Sequence, residues 1–255
     1  MVTNHNKNLE FLPKVRNLTL TALIAMLPNL SFGNVQTQTI MPSKAEINYS
    51  NRQVQEKDSL TYLFDALKKN PKNLDVLLEL GSVEIAIGNC TTAVGFLERA
   101  VKVEKSEKTL CALADAYRCA MQYKIAEDVA NEALELNQNS VLARKKLGAF
   151  AFEQNKLKEA AKYWSDALKF APNDYVLNIN LGGAYLNIGK INLAEKYARK
   201  GVKLNKECAN GHYVLGLVCE AKGNTKEAIA AIEKAIELNP SADNYKEKLQ
   251  SLKER

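Results

Sequence analysis

The sequence predicts an all-α chain: an α-solenoid of about five helix-turn-helix repeats with a capping helix at each end. Three observations carry that prediction. A leucine followed by a small residue recurs at Leu80-Gly81, Leu113-Ala114, Leu147-Gly148, Leu181-Gly182 and Leu215-Gly216, in steps of 33, 34, 34 and 34 residues. Twelve residues after each small member stand Ala93, Ala126, Ala160, Ala194 and Ala228, and seven further on Ala100, Ala133, Ala167, Gly201 and Ala235. Small residues at these columns let paired helices approach closely, while leucine and larger apolar side chains fill the space between them. A turn position also recurs seven residues after each Leu-small pair, with Gly88, Asn155, Gly189 and Gly223, and Met121 as the exception. Glycine and asparagine tolerate the left-handed backbone that ends a helix.

The elements follow in order. Residues 1–33 read as a signal peptide or an N-terminal anchor. Lys14 and Arg16 precede the apolar run Leu18 to Leu27, Pro28 interrupts it, and Ser31-Phe32-Gly33 offers small residues for cleavage before Asn34. The run is short for a membrane span, which needs about 20 mostly apolar residues. Export is therefore expected, to the periplasm or as a secreted protein, with a membrane tether as the alternative if the segment is retained. Residues 34–57 are polar, rich in Asn and Gln and without periodicity, and are expected to be a flexible linker. Residues 58–73 read as an N-terminal capping helix, with Leu63 and Ala66 in the columns of a second helix and Pro71 behind them.

Five repeats are expected at 74–106, 107–140, 141–174, 175–208 and 209–242, with Pro172 and Pro240 ending the second helices of their units. Residues 243–255 place Tyr245, Leu249 and Leu252 at helical spacing among lysines and glutamates, a C-terminal capping helix that solvates the end of the stack.

Composition is that of a soluble folded protein, 46% apolar and 25% charged. The formal charge of +6 falls to +4 without residues 1–33, too mild to imply nucleic acid unless a basic face is clustered. The stretch GGAYLNIGKI, Gly182 to Ile191, superficially resembles a phosphate loop. Ala184 stands where the first glycine belongs, and Ile191 where a hydroxyl must reach magnesium, so no nucleotide site is expected. Beyond the first 33 residues, His212 is the only histidine, and it falls on the surface of a predicted first helix. No catalytic triad and no histidine-based metal site can be built around it, and no cofactor is expected.

Cys90, Cys111, Cys119, Cys208 and Cys219 contain no CxxC. Cys111 and Cys119 lie two turns apart on one helix, roughly 12 Å by helical rise, too far to bridge. An odd count leaves a thiol over in an oxidising compartment, a tension with export. Cys219 reads as a small core residue, and Cys90, just after the turn at Gly88, as the most exposed thiol. Asn48-Tyr49-Ser50 and Asn89-Cys90-Thr91 are glycosylation sequons that matter only in a glycosylating host.

Period and columns together resemble the tetratricopeptide repeat, over about Leu74 to Asp243. The resemblance implies antiparallel helix pairs stacked into a right-handed superhelix. Tyr117 and Tyr185 match the family's tyrosine between helices, and Trp164 an aromatic of the second helix. Glu84, Ala151 and Cys219 replace the tyrosine elsewhere, where looser packing is expected. The family's first-helix tryptophan is absent, with Asn178 and His212 among its substitutes.

The resemblance also implies that first helices line a concave groove where ligands lie. Positions spaced 3, 4 and 3 apart share one helical side. That side carries Asp75, Leu78, Ser82 and Ile85, then Lys108, Cys111, Asp115 and Arg118, then Leu142, Lys145, Ala149 and Phe152, then Val176, Ile179, Gly183 and Leu186, then Asn210, Tyr213, Leu217 and Glu220. The C-terminal half is more apolar. A partner peptide is expected on Lys145, Phe152, Ile179, Asn180, Gly183, Leu186, Asn187, Tyr213 and Leu217. Chaperone-binding members of the family clamp a terminal carboxylate. Lys145 and Asn180 match two places of that clamp, while Ala149, Asn210 and Val214 occupy the other three, so the clamp is incomplete.

The expected function is a non-enzymatic interaction module, an adaptor or assembly factor binding a protein or peptide in its groove. The alternative is a thiol- or acid-dependent enzyme or redox protein on the same scaffold, using Cys90 or the groove acids. RNA binding is disfavoured, because pentatricopeptide arrays run at 35 residues with a basic groove that reads bases, and this groove is largely apolar.

Overall fold

A computed structural model describes residues 60–254. The expected targeting segment, the linker and the first two residues of the N-terminal capping helix lie outside them. Among the described residues the chain is helical with short connections and no strand. Helix α1 (60–69) precedes five antiparallel pairs: α2 (Leu74–Ala86) with α3 (Cys90–Val103), α4 (Glu107–Cys119) with α5 (Tyr123–Leu136), α6 (Val141–Glu153) with α7 (Leu157–Phe170), α8 (Tyr175–Asn187) with α9 (Ile191–Leu204), and α10 (Ala209–Ala221) with α11 (Thr225–Leu238). Helix α12 (Asp243–Lys253) closes the stack. Each pair packs on the next in chain order, which is the expected solenoid.

Local chemistry distinguishes the two kinds of helix. The first helices of four pairs begin at a polar cap: Val76, Thr109, Ala143 and Leu177 donate their N–H to the side chains of Asn73, Ser106, Ser140 and Asp174. Such a cap is worth about 1 kcal/mol. Cys208, ahead of α10, provides none. The second helices instead follow tight left-handed turns, at Gly88 (φ +82°), Met121 (+57°), Asn155 (+59°), Gly189 (+83°) and Gly223 (+81°). Met121 therefore adopts the glycine conformation despite its side chain, at a cost of roughly 1 kcal/mol.

The small columns lie where the helices touch. Ala93, Ala126, Ala160, Ala194 and Ala228 are fully buried, as are Ala100, Ala133, Ala167 and Ala235. Across from the small member of each Leu-small pair stands one residue of the second helix, and its size varies. Gly81 meets Leu97, Gly148 meets Trp164 and Gly216 meets Ile232, so closely that a Cβ would collide. At Gly182 a Cβ would come within 3.0 Å of the Ala198 backbone nitrogen. Trp164 is the largest of these fillers; its Nε1–H donates to the Lys145 carbonyl at 3.3 Å. Beside it, α6 and α8 lack the close approach that α2 makes with α4, α4 with α6, and α8 with α10.

The positions that replace the tyrosine are not loose. Glu84, Ala151 and Cys219 are all buried, and the Glu84 carboxylate accepts a hydrogen bond from Asn89 Nδ2 at 2.8 Å. Tyr117 donates to Glu98 at 2.8 Å. Asn178 fills its buried position less well: Nδ2 donates to the Asp174 carbonyl at 2.7 Å, but Oδ1 has no partner among the described residues.

Both ends are covered. Leu63 and Leu67 of α1 join the core of Val76, Leu77 and Leu80, and Tyr245 and Leu252 of α12 join that of Val218 and Ile232. Each such leucine is worth roughly 2 kcal/mol in buried apolar surface.

The cysteines depart from the sequence reading. Cys90 is not a free thiol: it is bridged to Cys119, with Cα atoms 5.3 Å apart. Cys90 opens α3 and Cys119 ends α4, so both sit at the edge where turns of neighbouring pairs stack, and the bond ties the first pair to the second. Cys111, Cys208 and Cys219 remain free.

Candidate functional site

The face formed by the five first helices separates into columns with different fates. One column, Leu78, Cys111, Lys145, Ile179 and Tyr213, is engaged by the rest of the stack. Leu78, Cys111 and Ile179 are buried, Ile179 to 2% exposure against Gly201 and Gly211. Lys145 Nζ lies 2.9 Å from Asp174 Oδ2 on the next pair, and Tyr213 stacks on Tyr245 of α12 at 4.3 Å between centroids. Ile179 thus belongs to the core rather than the groove floor, because the glycines of α9 and α10 leave a hollow that its side chain fills.

Further rungs connect consecutive first helices. Lys146 pairs with Asp115, Arg118 with Glu153 at 3.1 Å, and Lys248 of α12 with Glu220 at 2.6 Å. Two of these pairs engage Asp115 and Arg118 in the N-terminal half of the groove, and each is partly exposed, so each adds under about 1 kcal/mol of stability. Asp174 carries two duties, capping α8 and pairing with Lys145. Burial pushes its carboxyl up, but the Leu177 N–H and the Lys145 ammonium outweigh that and hold it below the ordinary 3.8.

What stays open is narrower than the sequence suggested. Phe152 is 36% exposed with its ring 5.6 Å from that of Trp164. Gly183 has no neighbour within 4 Å of where a Cβ would stand, other than its own helix. Asn180 and Leu217 are half-buried, and Leu186 is half-buried against the C-terminal core. Asn187 is exposed and its Nδ2 donates to the Gly183 carbonyl at 2.9 Å. The structure therefore brings Phe152, Asn180, Gly183 and Leu217 to the open surface, and sets Lys145, Ile179 and Tyr213 in contacts between helices.

Two of the three free thiols are buried away from nucleophilic use. Burial pushes the Cys111 thiol up to about 12 and Cys219 to about 11, against the formation of a nucleophilic thiolate. The half-buried ring of His212 places Nε2 2.8 Å from the Lys206 carbonyl, a bond that ties down the helix entry. Among the described residues no group of three or more His, Cys, Asp and Glu side chains could hold a metal ion, and no helix is long and apolar enough to cross a membrane.

Comparison with known proteins gives a consistent picture. The tetratricopeptide repeat model matches residues 111–175 and 179–243. The Hsp70-Hsp90 organizing protein of Triticum aestivum is 35% identical over 99 residues, which is 39% of this chain and 17% of that protein. Small glutamine-rich tetratricopeptide repeat-containing protein 2 of Mycosarcoma maydis is 27% identical over 130 residues, 51% of this chain and 34% of its own. The chain spans less than half the length of the curated relatives it matches. A tetratricopeptide repeat protein from Parabacteroides merdae superposes with a TM-score of 0.66 at 21% identity, covering 79% of each chain. A thermophilic one from Thermus thermophilus does so at 0.61 and 20% identity, over 70% of this chain and 98% of that one.

Proposed function

Because the chain belongs to the tetratricopeptide repeat family, we propose that it is a non-enzymatic adaptor or assembly factor that holds a partner peptide along the C-terminal part of its first-helix groove. The observation that carries this reading is the open apolar strip of Phe152, Gly183 and Leu217, flanked by Asn180 and Asn187, which suits an extended or helical segment with apolar anchors. The bare backbone at Gly183 lets that segment approach closely. The named roles of the wheat and Plasmodium falciparum relatives, which organise Hsp70 and Hsp90, support an adaptor role of this kind. The incomplete carboxylate clamp, with Lys145 committed to Asp174, argues for a partner other than a chaperone tail.

Export outside the cytoplasmic membrane is part of the same proposal. The basic and apolar order of Lys14, Arg16 and Leu18 to Leu27 supports it, and so does the Cys90–Cys119 bridge, since such bonds persist in oxidising compartments. Sequencing the mature N-terminus from fractionated cells tests it: Asn34 in the exported fraction is expected, and an intact Met1 in the cytosol would end that part of the reading.

Gly183→Trp tests the groove. A side chain at position 183 enters open space and improves helix propensity by up to about 1 kcal/mol, so the variant is expected to fold with unchanged or raised stability. Peptides selected by the wild-type protein from a displayed library should lose binding to it by at least about tenfold, the scale of a lost anchor contact. Undiminished binding would place the site elsewhere.

A further inference from the structure

Charge is unevenly distributed along the stack. Residues 74–140 carry six Lys and Arg against eleven Asp and Glu, a net −5. Residues 141–206 carry thirteen against five, a net +8, and residues 207–254 carry six against eight, a net −2. Pairing sharpens the contrast. Of the five acids in the basic stretch, Glu153, Asp166, Asp174 and Glu195 are consumed in ion pairs. Lys158, Lys162, Lys190, Lys196, Lys200, Lys203 and Lys206 enter no ion pair among the described residues; Lys190 and Lys196 instead lie over the rings of Tyr185 and Tyr197.

Lys158 and Lys162 lie on α7 and Lys196, Lys200 and Lys203 on α9, with Lys190 in the turn before α9 and Lys206 just beyond its end. On α9, Leu193, Lys196, Lys200, Lys203 and Leu204 form a single exposed stripe about 120° wide at helical spacing. On α7 the equivalent columns hold Glu159, Lys162, Asp166, Lys169 and the exposed Phe170, with Lys169 paired to Asp166, so the unpaired positive charge is concentrated on α9. The same face of α5 carries Asp128, Glu132 and Glu135 instead. Two clefts open beside the basic stripe. One of about 330 Å³ lies between α7 and the α8–α9 turn, bordered by Lys158, Lys162, Ser165, Asp166 and Lys190. Another of about 490 Å³ lies beside α9, bordered by Arg199, Lys203, Lys206, Lys234 and the acidic Glu207 over an apolar wall of Val202 and Leu215.

We infer that the exposed stripe of α9 docks on an anionic phospholipid surface. Lysine, rather than the planar, fork-shaped arginine, dominates the unpaired charges, and hydrated lysines are depleted from protein interfaces but suit a layer of anionic headgroups. Leucines at both ends of the α9 stripe add the shallow apolar contact of an interfacial helix. Single-stranded nucleic acid would call for exposed aromatic platforms on the stripe, and the tyrosines nearest to it, Tyr185 and Tyr197, are half-buried and stacked on each other at 5.7 Å.

Co-sedimentation of the full chain with vesicles tests this, comparing phosphatidylcholine alone with phosphatidylcholine containing a third phosphatidylglycerol. Any contribution of Leu18 to Leu27 is common to both vesicles, and any of Lys14 and Arg16 is common to wild type and variant, so the readout is the part of the anionic preference that the α9 substitutions remove. Binding to the anionic vesicles should be at least about tenfold stronger and should weaken as salt rises past the point where the screening length falls below about 8 Å. The exposed triple variant Lys196→Glu, Lys200→Glu, Lys203→Glu should abolish the anionic preference, and the milder Lys→Gln triple should reduce it by less, with unchanged circular dichroism in both. Equal binding to the two vesicle types, or full anionic preference in the triple variant, would overturn the inference. So would capture of polyglutamate without vesicle binding, which would assign the face to an acidic protein.

Discussion

The first two helix pairs and the next two are built on the same columns and have opposite characters. In α2–α5 a disulfide joins neighbouring pairs, Asp115 and Arg118 of the groove are tied to α6 by ion pairs, and the interface between Ala114 and Ala130 is small against small. In α6–α9 there is no bridge, the surplus charge is positive, and Trp164 fills the space opposite Gly148. The difference teaches that the repeating columns specify only the stacking. What lies between them sets how tightly each pair is held and what it presents to a partner.

The comparison can be broken most forcefully at its largest filler. Trp164→Ala empties a buried indole site and is expected to cost about 3–5 kcal/mol, read as a lowered urea midpoint, with exchange of amide protons rising first in α6 and α7. Removing the bridge should come next. The double variant Cys90→Ser, Cys119→Ser frees a loop of separation 29 and should lose about 3.6 kcal/mol in the chain-entropy view. Because each pair touches only its neighbours, the loss of protection should be confined to α2–α4 and leave α8–α11 unchanged; a uniform loss would show that the two regions unfold as one.

Asp174→Ala removes both a cap and the Lys145 pair, for about 1–2 kcal/mol near neutral pH. The sign of its pH dependence follows from the depressed carboxyl. The stabilisation is present above the unfolded value near 3.8 and is lost as pH falls through the lower folded value. Acid titration of wild type and variant should therefore show their stabilities converging below that range. The smallest effect expected is a gain: Met121→Gly relieves the left-handed strain at a residue that is 77% exposed, and should add up to about 1 kcal/mol.

Much of the fold was legible in the sequence because a period of 34 residues constrains every pair at once. Leu80, Leu113, Leu147, Leu181 and Leu215 could not recur beside small residues without a shared packing geometry. The groove was legible only in outline. Helical spacing identified the side of each first helix but not its depth, so Ile179, whose surroundings depend on Gly201 and Gly211 in later helices, looked like surface and is core. Tyr213 and Lys145 were similarly absorbed by Tyr245 and Asp174 on the next elements. The bridge was missed because spacing along one helix was considered while spacing between stacked turns was not. Cys90 and Cys119 are 29 residues apart, close to one repeat, at the start of one helix and the end of another. That near-match to the period is the signal that could have revealed it.

The same bond has a mechanical meaning. A helical stack drawn out from its ends lengthens by roughly 3.4 Å for each residue that unravels. The residues between Cys90 and Cys119 are shunted by the covalent link, so about 100 Å of extension is withheld at that spacing. Under load the protein is a spring with a rigid segment at the end nearer its N-terminus, and the pulling partner would feel α6–α11 yield while the bridged turns hold their length.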